Sequence, residues 1–211
     1  MSSPAATPSA RLQRTRAALI AAGLDLLVER PIDAIPIDDL VAHAGVAKGS
    51  FFNHFADKHA FAAAVSAEVR ADVEAEVARF NAGVADPVER VAGGMAVAAR
   101  FAQAEPRRTM VLMRSLGPAT RWTHPLNRGL KEDLDAALAT GAVRPEARET
   151  GLIYWLGLCQ VLMVHVLETV PSRDGAAERL AAMLAMGLAG LGVSEARAQV
   201  AIGRVLLRTD A

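Results

Sequence analysis

Between residues 48 and 58 the sequence combines hydrogen-bonding side chains with three phenylalanines. Lysine provides a cationic donor, serine and asparagine provide donors and acceptors, and histidine can act as either. Such groups suit contacts with anionic oxygens, whereas phenylalanine suits a protein core. The segment is therefore predicted to have one polar face for an anionic partner and one apolar face for a core. The polar residues are Lys48, Ser50, Asn53, His54 and Lys58.

Residue types that carry catalysis occur elsewhere, but without the spacing that catalysis needs. His165 and Glu168 stand three residues apart, as metal ligands can, yet no second such pair accompanies them. The glycines between residues 187 and 192 lack the spacing and the preceding strand of a dinucleotide loop. No nucleophile-elbow motif presents a serine, and the single Cys159 cannot form an internal disulfide. We therefore predict no catalytic site, no metal site and no cofactor, with an enzyme as a disfavoured alternative.

The apolar pattern around the 48–58 segment predicts four helices. Pro36 can open the second helix, because its missing N–H costs nothing there, and Gly45 can end it in a left-handed conformation. Asp57 is suited to cap the fourth helix. The four predicted helices cover about residues 10–29, 36–45, 48–55 and 58–81.

The two short helices are joined by the turn Ala44-Gly45-Val46-Ala47 and form a helix-turn-helix candidate between the two long ones. Phe51 and Phe55 lie four residues apart, so they share one helix face and are predicted to anchor it in a small three-helix core. The polar residues then remain on the exposed side, which in this motif enters the major groove of DNA. The 48–58 segment is thus predicted to contain a half-buried DNA-reading helix.

Residues 15–65, with the sequence Ala-Gly-Val-Ala-Lys-Gly-Ser-Phe-Phe-Asn-His-Phe-Ala-Asp-Lys at their centre, resemble the DNA-binding domain of TetR-family transcriptional regulators. The resemblance covers about the first quarter of the chain. It implies a homodimer that binds a palindromic operator in double-stranded DNA, most often as a repressor. It also implies release when a small, largely apolar effector binds the C-terminal domain. By position, it implies DNA contacts from Lys48, Gly49, Ser50, Phe52, Asn53, His54 and Lys58.

Three residues depart from the pattern of that family. Pro36 stands where the family often has a threonine that caps the second helix and touches phosphate. Ala47 replaces a common serine cap, a loss typically of about 1 kcal/mol. Phe52 occupies a position often held by tyrosine and so lacks a hydroxyl. These departures favour one alternative, a helical scaffold or partner-binding protein that has lost specific DNA binding.

Charge gives a separate indication of where DNA would lie. The chain carries 23 basic and 23 acidic residues, so only a local patch can attract an anion. Arg11, Arg14 and Arg16 cluster at the start of the first helix, near the side expected to face DNA with Lys48 and Lys58. We expect at least one of these arginines to touch the phosphate backbone, and we expect binding to weaken steeply with salt.

Beyond residue 82, proline, glycine and capping residues predict six more helices and no strand, so the fold is predicted to be all-α with nine to ten helices. The sequence Asp86-Pro87-Val88-Glu89 resembles a capping box. We predict a disordered tail over 1–9, a three-helix DNA-binding domain over 10–60 and an effector-binding and dimerisation domain over 82–211. The six helices are predicted over about 86–104, 106–117, 125–140, 145–170, 175–191 and 194–208.

Two groups of residues in the C-terminal helices are candidate contact sites. Small residues at four-residue spacing let helices approach closely, which suits a four-helix dimer interface; the alternative is a monomer core. The interface candidates are Leu158, Val161, Leu162, Ala181, Ala185 and Leu188. An apolar effector pocket is predicted between the middle helices, although core packing could explain each of its members. Its candidates are Met110, Met113, Arg114, Trp122, Trp155, Cys159 and His165.

The sequence predicts a cytoplasmic protein that does not enter membranes. Met1 to Ala10 lacks the apolar core of a secretory signal, and a single cysteine is typical of a reducing compartment. The longest apolar stretch, 151–166, contains Gln160 and His165 and is shorter than a bilayer span.

Overall fold

The computed structural model describes residues 8–114, 124–169 and 175–209. These residues form ten α-helices and no strand, which confirms the all-α prediction. Two short 3-10 helices, Ile32–Ala34 and Pro125–Asn127, precede α2 and α7. The helices are α1 Pro8–Glu29, α2 Ile37–His43, α3 Lys48–Phe52, α4 Lys58–Phe80, α5 Pro87–Ala104, α6 Pro106–Arg114, α7 Arg128–Ala139, α8 Ala147–Glu168, α9 Ala176–Gly190 and α10 Glu195–Thr209.

The described chain divides into two compact units. The first unit contains residues 8–69 and 110–114, and the second contains residues 70–109, 124–169 and 175–209. The division therefore falls inside α4 and inside α6. Most of the predicted disordered tail, residues 1–9, lies outside the described residues.

The core of the first unit comes from the apolar stripes of α1, α2, α3 and α4. Its largest side chains, those of Leu19, Leu27, Phe51 and Phe61, are fully buried. A Cβ added at Gly23 of α1 would lie 2.5 Å from the Phe61 ring, so a glycine is needed where these two helices meet. The unit thus holds α3 against two long helices.

The second unit is built around α5, which is buried on most of its surface and packs against α7, α8, α9 and α10. Asp86 caps α5, because its Oδ1 accepts the Val88 N–H at 2.9 Å. Arg197 of α10 donates to the same oxygen at 2.9 Å. Burial alone would raise the pKa of Asp86, but these hydrogen bonds outweigh it and hold the pKa below its ordinary value.

Glu89 does not complete the predicted capping box. Its carboxylate is buried and accepts hydrogen bonds from Arg204, at 3.2 Å, and from Arg208 of α10. The Arg208 guanidinium also lies over the Phe80 ring, 4.9 Å from its centroid. The capping-box prediction was wrong because a carboxylate in the third helical position can turn to a neighbouring helix as readily as to its own first turn.

By length and composition alone, the helix α8 is long and apolar enough to cross a membrane, because an 18-residue window within it has a mean hydropathy of 1.7. A third of that window is buried inside the protein, and a core helix of a soluble protein passes the same test. Its inner face, with Leu152, Trp155 and Leu162, lies in the core of the second unit. One such helix is weak evidence for a membrane protein.

Candidate nucleic-acid interface

The turn between α2 and α3 is tight and depends on one glycine. Gly45 has φ of 65°, in the left-handed region that favours glycine. The N–H groups of Gly45 and Val46 close the end of α2 on the carbonyls of Ala42, at 3.1 Å, and Val41, at 3.0 Å. The start of α3 is therefore fixed relative to α2, as a helix-turn-helix requires.

Phenylalanine rings on its core-facing side anchor α3. Phe51 is fully buried, and its ring centroid lies 5.6 Å from that of Phe55 and 5.5 Å from that of Phe61. These rings form tilted contacts of the kind that aromatic pairs favour. The prediction that Phe51 and Phe55 plug the core is confirmed.

The helix α3 is shorter than predicted. It ends at Phe52, and the chain then turns so that Asp57 can cap α4, accepting the Ala60 N–H at 2.7 Å. His54 and Phe55 thus lie in the turn after α3, although Phe55 still reaches the core. The difference arises because the Asp57 cap needs non-helical backbone immediately before α4.

The outer face of α3 carries most of the predicted DNA-contacting groups. Lys48, Gly49, Phe52 and Asn53 are exposed, and Ser50 and His54 are partly buried beside them. Half of the Phe52 side chain is exposed, with 53% of its surface accessible. Neither α2 nor α3 has a side-chain cap: Pro36 and Ala47 precede them in extended conformation without a side-chain hydrogen bond.

Acidic side chains accompany the basic groups around this face, which sequence reasoning missed. Lys48 Nζ lies 2.8 Å from Asp38 Oδ1, and Arg16 Nη1 lies 2.7 Å from Glu68 Oε1. Lys58 Nζ donates to the carbonyl oxygen of Asp33 at 2.9 Å. The equal numbers of acids and bases hinted at such pairing, but its geometry needs the fold. Arg14, by contrast, is simply exposed on α1.

These ion pairs do not block the face. The side chains of Lys48 and Asp38 are 57% and 69% exposed, and exposed pairs contribute roughly 0–1 kcal/mol. A DNA phosphate can therefore replace Asp38 as the partner of Lys48 at little cost in free energy.

Comparison with known proteins shows which family of proteins shares this helix-turn-helix and this fold. The sequence pattern of the family described as bacterial regulatory proteins, tetR family, matches residues 19–65, from within α1 to within α4. A putative tetR family transcription regulator from Shewanella sp. PV-4 aligns with a TM-score of 0.74 at 17% identity, over 84% of this chain and 97% of that chain. Residues 19–65 thus carry the N-terminal domain of the tetR family of bacterial regulatory proteins, and the chain shares the fold of TetR-family regulators.

Other solved structures share the fold across nearly the whole chain. RolR in complex with its ligand resorcinol aligns with a TM-score of 0.56 at 25% identity, over 93% of this chain and 96% of that chain. A γ-butyrolactone receptor, described as ArpA-like, aligns with a TM-score of 0.55 at 24% identity, over 94% of this chain and 99% of that chain. No curated protein sequence matches this chain.

The structure does not bring the predicted effector-pocket residues together in one unit. Met110, Met113 and Arg114 belong to the first unit, where Arg114 donates to the Leu27 carbonyl at 2.8 Å. Trp122 lies outside the described residues. In the second unit Trp155 is buried, Cys159 is partly buried and His165 is exposed.

The residues predicted to form the dimer interface differ in their burial. Leu162 and Leu188 are buried within the second unit, so they are core residues of the single chain. Leu158, Ala181 and Ala185 are partly buried, and Val161 is exposed. In addition to Val161, the helices α8 and α9 expose the large apolar side chains of Ile153, Val164 and Met186.

Proposed function

We propose that this protein is a one-component repressor that binds a palindromic operator as a homodimer in the cytoplasm and is released by a small effector. The exposed polar face of α3 carries the proposal, because the opposite face is fixed by buried rings. A rigidly held, short helix with exposed donors and acceptors is what reading of base edges requires. Lys48, Lys58, Arg14 and Arg16 would position the duplex through its phosphates.

Gly49 supports the DNA-binding role. A Cβ at this position would meet nothing within 4 Å, and the backbone is helical, so nothing inside the chain calls for a glycine. Glycine within a helix costs up to about 1 kcal/mol relative to alanine. Close approach of an external backbone, such as that of DNA, would account for it.

Gly49→Ala is therefore expected to leave the free energy of unfolding equal or slightly higher while weakening DNA binding by about tenfold, or about 1.4 kcal/mol. Fluorescence anisotropy with a labelled operator duplex and urea unfolding measure the two quantities. Gly203→Ala on α10, where a Cβ also meets nothing, is the matched control. It should change the free energy of unfolding as Gly49→Ala does and leave DNA affinity at the wild-type value. Unchanged DNA affinity in Gly49→Ala would remove this support.

Dimerisation is proposed through the outer face of α8 and α9. Ile153, Val161 and Met186 are large apolar side chains left exposed by the single chain, and such a patch indicates an interaction surface. Gly157 lies between Ile153 and Val161 at four-residue spacing, and a Cβ there would meet nothing. A mid-helix glycine without an internal reason fits close contact with a partner helix.

Val161→Arg is expected to raise the dimer dissociation constant by about 100-fold, or about 2.7 kcal/mol, because two-fold symmetry would bury two unpaired charges. Analytical ultracentrifugation of the free protein measures this. Val200→Arg, at a similarly exposed position on α10, should keep the wild-type association; Val161 is 66% exposed and Val200 52%. Equal association of the two variants would contradict the proposed interface.

The likeness to RolR supports a small-molecule effector, since RolR binds resorcinol and aligns over nearly the whole of both chains. The effector is proposed to bind in the second unit. The alternative, a scaffold that has lost specific DNA binding, is favoured by the uncapped starts of α2 and α3. It predicts salt-sensitive DNA binding with no preferred sequence.

A further inference from the structure

The C-terminal half of α4 places a charged group inside the second unit. Only 10% of the Arg70 side chain is exposed, and its Nε donates to Glu74 Oε1 at 2.7 Å. Its Nη2 donates to Oδ1 of the fully buried Asn127 at 2.9 Å. Withdrawing an ion pair from water costs free energy for each ion, and apolar replacements are often as stable. Stability therefore does not explain these three residues, which we call the polar cluster.

The polar cluster lies level with the middle of α8. The short connection makes α7 and α8 antiparallel neighbours, and a Cβ at Gly151 of α8 would lie 3.6 Å from Leu134 of α7. Asn127 precedes Leu134 by about two helical turns, so on α8 the same level lies about two turns beyond Gly151, near Cys159. In agreement, the charges of both Arg70 and Glu74 act on the Cys159 thiol.

One helical turn before Cys159, a buried donor lacks a partner. Trp155 is 1% exposed, and its Nε1–H makes no hydrogen bond within the part of the chain that the structure describes. Its Cζ3 would lie 3.0 Å from a Cβ at Gly187 of α9, and Cζ3 is on the opposite side of the indole from Nε1. The N–H therefore points away from α9. An unsatisfied buried donor is destabilising, and an acceptor on a ligand would remove that cost.

We infer that Trp155 and the polar cluster hold the effector of the proposed repressor through a hydroxyl group. The indole N–H can only donate, whereas the Glu74 carboxylate can only accept. A hydroxyl satisfies both, because its oxygen accepts from Trp155 and its proton is donated to Glu74. Since Arg70 and Glu74 neutralise each other, the site favours a neutral molecule over an anion. The ligand class is a small, otherwise apolar phenol or alcohol.

Cys159 forms the apolar wall of this site. Cys159 as a residue is partly buried. Burial raises the pKa of the thiol to about 12, so it stays protonated and behaves as a small apolar group.

Phenol and toluene test the assignment, because they match in shape and differ in the hydroxyl. The full chain, with 15N-labelled indoles, is titrated with each by NMR in the absence of DNA; its two tryptophans give two indole signals. We expect phenol, and not toluene, to shift the Trp155 signal, which is assigned by its loss in Trp155→Phe. That variant and Arg70→Met should bind phenol about tenfold more weakly and toluene equally well. Glu149→Gln, an exposed change on the same helix, should bind both as wild type does.

Two results would overturn the assignment. One is an unshifted Trp155 signal at phenol concentrations up to about 20 mM, where even millimolar binding is visible. The other is an equal loss of phenol and toluene affinity in Trp155→Phe. If that variant fails to fold, the Trp155 signal is assigned as the one that remains in Trp122→Phe, and the wild-type shift still decides. Because no DNA is present, failure here is distinct from failure of operator binding.

Discussion

Phe51→Ala is expected to unfold the first unit and to abolish DNA binding. Phe51 is fully buried and its ring contacts those of Phe55 and Phe61. Removing a buried phenylalanine costs about 3–5 kcal/mol, a large part of the stability of a domain this small. Heteronuclear NMR of the full chain should show loss of dispersed signals from the first unit, while those of the second unit persist.

Phe52→Ala is the matched control for this prediction. The neighbouring ring is half exposed on the outer face of α3, so its removal should change the free energy of unfolding by less than about 1 kcal/mol. It can still alter DNA affinity, because it lies on the face proposed to read DNA. Similar destabilisation by both variants would mean that α3 is not anchored as described.

Glu89→Ala is expected to lower the unfolding free energy of the second unit by about 3 kcal/mol. The buried carboxylate holds Arg204 and Arg208 of α10, and the Nε and Nη2 of Arg208 are themselves buried without partners among the described residues. Removing one member of a buried pair leaves an uncompensated charge, which typically costs 3–5 kcal/mol; the partial exposure of both arginines reduces this.

Urea unfolding followed by circular dichroism measures the effect. Glu149→Ala, an exposed acid on α8, removes the same charge and is expected to change stability by less than about 0.5 kcal/mol. Equal midpoints for the two variants would show that Glu89 does not hold α10 to α5.

Local signals in the sequence were sufficient for the helix-turn-helix and for the caps. Asp57 and Asp86 were predicted as caps from position alone, and both make the expected hydrogen bond. The core role of Phe51 followed from its four-residue spacing to Phe55. Such features depend on residues close in sequence, which is why a single chain reveals them.

Features that depend on distant residues could not be predicted. Glu89 bonds to residues more than 100 positions away, and the pairing of Arg16 with Glu68 spans 52 positions. The inner face of α8 was equally hidden, because a helix apolar nearly all round gives no amphipathic pattern. Leu162 and Val161 therefore looked alike, although one is buried and the other exposed.

Sequence-selective DNA binding is the central claim, and selection from random DNA tests it most directly. The wild-type protein would be mixed with random duplex fragments at two salt concentrations, and the bound pool sequenced. We predict one enriched palindrome whose half-sites lie about one helical turn apart, roughly 34 Å, with overall binding weaker at higher salt. Salt-sensitive binding with no enriched motif would contradict the account and favour the scaffold.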